Sequence, residues 1–236
     1  MANPVIVCGS GPQLNKVPVR EPGYPLAVVS TAIRTITDPD YWLLVDIINT
    51  PHGDQGKEAA KNPDVKKIVP HNRMKLWEAY PNIEGVHQTP EGPKHGNRTF
   101  LDGKGGVISG QNLHRSMLFA LQVLSARFDT LIFAGCDMGT NPSGVLYSHG
   151  FVYPERQKPH RRRRSRINSI THALDMEMRR WEEWAPIARA KGVTWLSWTP
   201  DSPINNLMEP FCGPKSSHCR PEATRGADAS VVADRG

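Results

Sequence analysis

The feature that most constrains the fold is an apolar run near the start of the chain that leads directly into a glycine turn. Residues 5–8 (Val-Ile-Val-Cys) form an uninterrupted apolar run rich in β-branched side chains, which is typical of a strand buried on both faces. The turn that follows, residues 9–13, contains two glycines and a proline. Glycines at the carboxyl end of a buried parallel strand let backbone N–H groups approach an anionic or ribosyl ligand closely. The pattern predicts the first strand and the ligand loop of a nucleotide-binding α/β domain.

Further apolar runs alternate with helical periodicities along the chain. We predict strands at residues 26–29, 41–45, 68–69, 130–134 and 193–197, and helices at residues 32–36, 55–61, 74–79, 113–124 and 168–190. Pro186 is expected to bend the last helix, and residues 70–105 to be mainly irregular. Strands that alternate with helices favour a mainly parallel sheet that is covered by helices on both faces.

The predicted fold class is therefore α/β, with a single Rossmann-like, doubly wound sheet. We expect this domain to occupy residues 1–212. A long polar excursion over residues 138–167 is predicted to be a lid insertion, because compact domains seldom contain loops of that length without a function. Residues 213–236 are rich in Pro, Ser, Gly and charge, and are predicted to be a disordered tail.

The chain carries an excess of positive charge, much of it in one segment. Lys and Arg total 29 against 23 Asp and Glu, which gives a net charge of +6. Four consecutive arginines stand near the end of the predicted lid: Arg161, Arg162, Arg163 and Arg164. Such a run either contacts a phosphate group or a polyanion such as nucleic acid, or is a solvated surface, and the sequence leaves both interpretations open.

Hydropathy and cysteine spacing argue against other classes of protein. No apolar run approaches the roughly 20 residues needed to span a bilayer, and the first residues lack the pattern of a secretory signal. We therefore expect a cytoplasmic protein with no membrane partner. The four cysteines are expected to be reduced thiols. Cys212, His218 and Cys219 lack the paired C-x-x-C spacing of a zinc site.

Small and polar residues follow the predicted strands at their carboxyl ends, where parallel sheets bind their ligands. The substrate-binding candidates are Gly9, Ser10, Gly11, Pro12, Gln13, Ser30, Thr31, Asp46, Gly135, Cys136, Pro200, Asp201 and Ser202, and Asp137 is a candidate catalytic residue. Asp46 and Asp137 each suit a ribose hydroxyl or a cation, or the cap of a turn. Ser109 and Gly110 open a predicted helix whose N-terminus suits a phosphate group, and the alternative interpretation of Ser109 is that it acts only as an N-cap.

Four of these segments resemble, in order, the motifs of the bacterial α-2,3-sialyltransferases of glycosyltransferase family 42 and of the related domain-of-unknown-function-115 proteins. The family's opening strand runs into G-N-G-P-S-L, which here is Gly-Ser-Gly-Pro-Gln-Leu at residues 9–14. Its T-S-G before an apolar helix is Ile-Ser-Gly at residues 108–110, and its strand ending in G-x-D is Gly-Cys-Asp at residues 135–137. Its last strand ends in C-P-N-S-x-x-x-N-x-x-E, which residues 199–209 match in part. The resemblance covers residues 4–210.

The resemblance implies a CMP-sugar donor, no required metal or cofactor, and a histidine of the lid that acts as general base on the acceptor hydroxyl. His160 is the best match for that base, with His149 and His172 as rivals, and Tyr147 matches a lid tyrosine that binds the leaving phosphate. A second lid tyrosine is replaced by Gly139.

Other departures concern the ligand itself. The family's first-loop Asn and Ser are Ser10 and Gln13 here, and its arginine before the central motif is Gly106. Because of these departures, the resemblance does not specify the nucleobase or the sugar of the donor.

The leading hypothesis from the sequence is a metal-independent glycosyltransferase of bacterial or phage origin that uses a nucleotide-activated sugar. Its acceptor would be a glycan or a modified base of phage DNA. One alternative is a Mg²⁺-dependent transferase that resembles a pterin pyrophosphokinase, for which Asp46 and Asp137 are the candidate ligands. The other alternative is a non-catalytic module that binds nucleotides or nucleic acid.

Overall fold

The computed structural model describes residues 2–45, 52–86, 116–138, 163–199 and 201–213. Side chains of the last long helix are described from residue 177 onward. All structural statements below concern these residues.

An eight-stranded sheet forms the centre of the fold, and every pair of neighbouring strands in it is parallel. Its strands are β1 (Pro4–Cys8), β2 (Leu26–Val29), β3 (Tyr41–Leu43), β4 (Lys66–Pro70), β5 (Ile83–Val86), β6 (Thr130–Ala134), β7 (Thr194–Ser197) and β8 (Glu209–Pro210). They lie in the order β5-β4-β3-β2-β1-β6-β7-β8. The chain therefore builds the sheet outward from β1 in one direction, returns to the centre, and builds outward in the other direction from β6.

Three α-helices are described: α1 (Gly53–Lys61), α2 (Ser116–Ser125) and α3 (Arg163–Ala190). Short 3-10 turns at Pro12–Lys16, Ser30–Arg34, His71–Leu76 and Pro203–Asn206 complete the connections. All residues of α2 except Met117 are buried. A helix that is apolar on every side has to be enclosed, and α2 contacts both the sheet and α3.

The sheet separates two apolar cores, because successive side chains of a strand point to opposite faces. On β1, Val5 and Val7 join the core formed with α2 and α3, whereas Ile6 and Cys8 join the core formed with α1 and the 3-10 turns. Elements thus cover both faces of the sheet, as the alternation of strands and helices predicts. The α/β, doubly wound and parallel fold is confirmed.

Several local predictions differ from the structure. Residues 83–86 and 209–210 are strands that the sequence analysis does not predict, and the first of them lies within a segment predicted to be irregular. Residues 32–36 and 74–79, which are predicted to be helical, lie mostly in 3-10 turns and the turns that follow them. The last helix begins at Arg163 rather than near residue 168, so it includes the last residues of the predicted lid, and it continues through Pro186.

Other predictions fall outside the described residues or need correction. The predicted tail lies outside them from residue 214 onward, as does the predicted lid over residues 139–162. Cys8 and Cys136 are free thiols, but Cys212 is disulfide-bonded, so the prediction of four reduced cysteines is wrong for that residue. Within the described part of the chain, no helix combines the length and the apolar character needed to cross a bilayer.

An aromatic cluster fixes α3 against the centre of the sheet. The rings of Phe133 on β6 and Trp181 on α3 lie 4.7 Å apart, and both contact Trp195 of β7 at 5.6 Å. Trp181 is fully buried. Edge-on ring contacts of this kind add to the stabilisation that comes from burying the rings.

We expect Trp181→Ala to lower the free energy of unfolding by about 3–5 kcal/mol, because it leaves a large cavity under α3. Urea denaturation measures this change. Glu182→Ala, at the exposed neighbouring position of the same helix, is the matched control and should change the free energy by no more than about 0.5 kcal/mol. Equal stability of the two variants would contradict the assigned packing.

Candidate functional site

The point where the strand order reverses lies between β1 and β6, which are neighbours at the centre of the sheet. The connections that leave these two strands run in opposite directions, so a crevice opens between them at the carboxyl edge. Doubly wound sheets bind their ligands at such switch points. The crevice is bordered by two loops, which we call the β1 loop (residues 9–13) and the β6 loop (residues 135–137).

The two loops are joined to each other by backbone hydrogen bonds. Gly9 N–H donates to the carbonyl of Ala134, and Gly11 N–H donates to the carbonyl of Gly135, both at 2.8 Å. A Cβ atom at Gly9 would lie 2.6 Å from the Gly135 oxygen, which is closer than such contacts occur. Both glycine amides therefore already have partners within the protein, and the structure gives a steric reason for glycine at these positions.

Asp137 closes the β6 loop onto the β1 loop. Its carboxylate oxygen Oδ2 accepts a hydrogen bond from the Gln13 N–H at 3.2 Å. A Cβ atom at Gly11 would lie only 1.8 Å from the same oxygen, so Gly11 leaves the space that the carboxyl group occupies. The Asp137 side chain is buried.

The burial of Asp137 raises the pH at which its carboxyl group loses its proton. Burial raises the pKa of Asp137 from 3.8 to about 6, while hydrogen bonds from the N–H groups of Gln13 and of Asp137 itself, and the charge of Lys16, act in the opposite direction. The group therefore changes charge close to neutral pH. A carboxyl group of this kind can accept a hydrogen bond from a sugar hydroxyl when ionised and donate one when protonated.

Gln13 carries a second buried polar group of the β1 loop. Its side chain is buried, and its Oε1 atom has no hydrogen-bond partner among the described residues. A buried acceptor without a partner costs free energy, which a ligand that donates a hydrogen bond to it would recover.

The two cysteines next to the crevice have a structural role. Burial raises the pKa of the Cys8 thiol to about 12, and burial likewise raises the pKa of the Cys136 thiol well above its usual range. Both stay protonated at neutral pH and are poor nucleophiles. The Cys136 sulfur lies behind the β1 loop, where a Cβ atom at Gly9 would approach it to 3.1 Å.

The segment after β7 supplies the third border of the site. Ser202 Oγ donates to the Cys136 carbonyl at 2.6 Å, and Thr199 Oγ1 accepts from the Cys136 N–H at 3.2 Å. These side chains tie the β7 segment (residues 197–205) to the β6 loop. Ser202 and the β6 loop are thus brought together with the β1 loop, as the sequence analysis expects.

The backbone is strained where three strands end at this edge. Ser30, Met138 and Asp201 follow β2, β6 and β7, and each has a positive φ between 50° and 54°. Residues other than glycine rarely adopt this conformation, and functional sites are among the places where such strain accumulates. Ser30 is held there by a 3.0 Å hydrogen bond from the Trp42 indole N–H to its carbonyl.

The structure places part of the predicted site and leaves the rest undescribed. Ser30 and Thr31 begin the turn after β2, next to β1 in the sheet. Arg163 and Arg164 form the first turn of α3, and His172 belongs to the same helix, but these side chains are not described. The predicted residues that lie outside the described ranges are Asp46, Ser109, Gly110, Tyr147, His149, His160, Arg161, Arg162 and Pro200.

Sequence reasoning gives no role to Thr199 or Asn205, although both lie in the motif at residues 199–209. Thr199 bonds to the β6 loop, and Asn205 Nδ2 donates to the Thr199 carbonyl at 3.1 Å. The only signal in the sequence is the concentration of small polar residues after β7. The described residues contain no group of three or more His, Cys, Asp and Glu able to hold a metal ion.

Comparison with known proteins identifies one similar fold. A solved structure of the MAf glycosyltransferase from Magnetospirillum magneticum AMB-1 matches 95% of this chain with a TM-score of 0.52 and 14% sequence identity. The likeness is one of fold, and the doubly wound sheet of this chain resembles part of that structure. The chain spans 35% of the length of that enzyme. No protein-family model and no curated protein sequence matches the chain, so the resemblance to family 42 stays a prediction.

Gly11→Ala should lower the free energy of unfolding by about 3 kcal/mol or slightly more, because the new methyl group collides with both Asp137 Oδ2 and the Gly135 carbonyl. Gly23→Ala is the control. Its backbone is left-handed (φ 69°), whereas that of Gly11 is extended (φ −66°), and nothing lies within 4 Å of the new Cβ at Gly23. Only the conformational cost of about 1–2 kcal/mol therefore applies to the control. Urea denaturation of both variants measures the difference. A Gly11→Ala variant no less stable than the control would contradict the loop contact.

Asp137→Asn should gain stability relative to the unmodified protein as the pH rises. The folded protein binds the Asp137 proton more tightly than the unfolded chain does, so its stability falls between pH 4 and pH 7 as that proton is lost. An amide does not titrate, and the variant should therefore become relatively more stable by about 2 kcal/mol over this range. Denaturation curves at several pH values measure the difference, and a difference that does not vary with pH would contradict the raised pKa.

Proposed function

We propose that the protein is a glycosyltransferase that binds a nucleotide-activated sugar in the crevice between β1 and β6. The observation that carries the proposal is the buried Asp137 carboxyl group, which accepts a hydrogen bond from the Gln13 backbone N–H at the switch point of the sheet. The fold of this sheet resembles that of a MAf glycosyltransferase. A switch-point crevice provides the shape that a nucleotide needs, and the side chains of Asp137 and Gln13 provide hydrogen-bonding groups for its hydroxyl and amine groups.

The donor in this proposal is a CMP-sugar or a close analogue. Support comes from the motif resemblance at residues 9–14 and 135–137, both of which lie on the crevice. Asp137 would bind a hydroxyl group of the ribose or of the sugar. Gln13, which stands where the resembling family has serine, would accept a hydrogen bond at Oε1 from an amine or hydroxyl group of the ligand.

The reaction in this proposal is a displacement at the anomeric carbon. The acceptor oxygen forms a bond to that carbon, the bond from the carbon to the phosphate oxygen breaks, and the nucleotide leaves with the electron pair. The acceptor proton passes to His160, the proposed general base. Tyr147 and the arginines from Arg161 to Arg164 are proposed to stabilise the charge of the departing phosphate. The reaction consumes no cofactor.

The acceptor is proposed to be a hydroxyl group of a glycan or of a modified DNA base. The net charge of +6 and the arginine run favour an anionic acceptor. Binding to duplex DNA that weakens steeply as salt is added would favour the second acceptor, and binding that ignores salt would argue against it.

Calorimetry with CMP, UDP and GDP tests the binding step, and we expect CMP to bind the most tightly. Asp137→Asn should weaken CMP binding by about tenfold at pH 7.5, because it removes a charge-assisted hydrogen bond. Asp54→Asn, which alters an exposed carboxylate of α1, is the matched control and should bind CMP like the unmodified protein. Absence of binding to all three nucleotides would refute the proposal.

A panel of nucleotide sugars tests the chemical step. Slow hydrolysis of the donor should be detectable without an acceptor, should persist in EDTA, and should fall in His160→Ala by about 10²-fold or more. Loss of the activity in EDTA would instead favour the Mg²⁺-dependent pyrophosphoryl transferase. Nucleotide binding without turnover of any donor would favour the non-catalytic module.

A further inference from the structure

The backbone of Cys136, immediately before Asp137, is held on both sides by side chains of the β7 segment. Thr199 Oγ1 accepts from the Cys136 N–H at 3.2 Å and donates to the Phe133 carbonyl at 3.1 Å. Ser202 Oγ donates to the Cys136 carbonyl at 2.6 Å and accepts from the Ile204 N–H at 3.4 Å. Both hydroxyl groups are therefore fully used within the protein, and both side chains are at least 95% buried.

The β6 loop needs such support because its conformation is strained. Gly135 and Met138, on either side of Cys136 and Asp137, both have positive φ angles, of 65° and 51°. A strained backbone persists only where its surroundings hold it in place. The hydrogen bonds from Thr199 and Ser202 act on the peptide groups between these two residues.

The β7 segment is itself braced from behind. Asn205 Nδ2 donates to the Thr199 carbonyl at 3.1 Å, and the Asn205 Oδ1 atom accepts from Ser197 Oγ. The Thr199 N–H donates to Ser197 Oγ at 3.3 Å. Chains of buried hydrogen bonds of this kind make a segment rigid when every member is satisfied.

We propose that Thr199 and Ser202 are positioning residues that hold the Asp137 carboxyl group in the crevice through the backbone of the β6 loop. They act without touching the ligand, which distinguishes them from the substrate-binding role that the sequence predicts for Ser202. The inference is tested by two measurements, and only the second of them, which is of nucleotide binding, rests on the proposed function. The first measurement concerns the Asp137 carboxyl group alone.

The titration of Asp137 is a sensitive measure of its position. Among the described residues, the charged and titratable groups that act on Asp137 or on the neighbouring Cys136 thiol are Lys16 of the turn after β1, the Cys8 thiol of β1 and Glu177 of α3. None of these groups is altered by substitutions at residues 199 and 202. A change in the Asp137 titration then reports a movement of the carboxyl group or the entry of water beside it.

The first experiment follows the Asp137 carboxyl carbon by ¹³C NMR as the pH is varied, with Asp137→Asn used to assign its signal. Thr199→Val keeps the shape of the side chain and removes both hydrogen bonds of the hydroxyl group. We expect it to move the Asp137 midpoint toward the ordinary aspartate value by roughly half a pKa unit or more. Thr199→Ser keeps the hydroxyl group and should restore the original midpoint.

A purely structural role of the hydroxyl groups would lower the melting temperature without moving that midpoint. Unchanged Asp137 midpoints in folded Thr199→Val and Ser202→Ala would therefore overturn the proposal. Ser202→Ala also removes two hydrogen bonds, and it carries the test if Thr199→Val fails to fold.

The second experiment measures CMP binding by calorimetry in the same variants. Thr199→Val should weaken binding by about tenfold, whereas Thr199→Ser should stay within about twofold of the unmodified protein. An equal loss in both variants would contradict a role for the hydroxyl group. If the unmodified protein binds none of CMP, UDP and GDP, the proposed function fails, and the NMR titration still decides whether Thr199 and Ser202 position Asp137.

Discussion

The close contact between the β1 loop and the β6 loop is the constraint on which the rest of the site depends. The carboxyl group of Asp137 fits only because Gly11 has no side chain, and the carbonyl of Gly135 fits only because Gly9 has none. Two adjacent parallel strands bring these loops into register, and hydrogen bonds between the loops then close the contact. The contact encloses the Asp137 carboxyl group beside the Gln13 backbone N–H at the carboxyl edge of the sheet.

The site is built at a cost in stability that the two apolar cores offset. A buried carboxyl group, a buried amide oxygen that has no partner among the described residues, and three left-handed residues each oppose folding. The sheet tolerates them because its strands are buried on both faces and α3 is fixed by rings packed edge-on. Features that oppose folding gather at the carboxyl edge of the sheet, which is where a doubly wound protein binds its ligand.

The sequence predicts the central sheet well because β1, β2 and β6 are unbroken apolar runs. It misses β5, in which Glu84 and Gly85 interrupt the apolar pattern, and β8, which has only two residues. It locates the glycines of the β1 loop at the site, but it predicts amides that face a ligand, whereas those amides bond to the β6 loop. No local pattern could reveal that contact, because it joins residues more than 120 positions apart.

The two edge strands of the described sheet, β5 and β8, affect how readily the protein associates with other copies of itself. In β5, Glu84 forms ion pairs with Lys66 of β4 and Arg127 near the start of β6. Burial raises the pKa of Glu84, but the hydrogen bonds and charges of Arg127 and Lys66 outweigh that effect and hold the pKa below the usual range. In β8, Pro210 lacks the N–H group that a further strand would need. Charged residues on one edge strand and a proline on the other disfavour pairing with a strand from another molecule. Edge strands of this kind disfavour amyloid-like self-association.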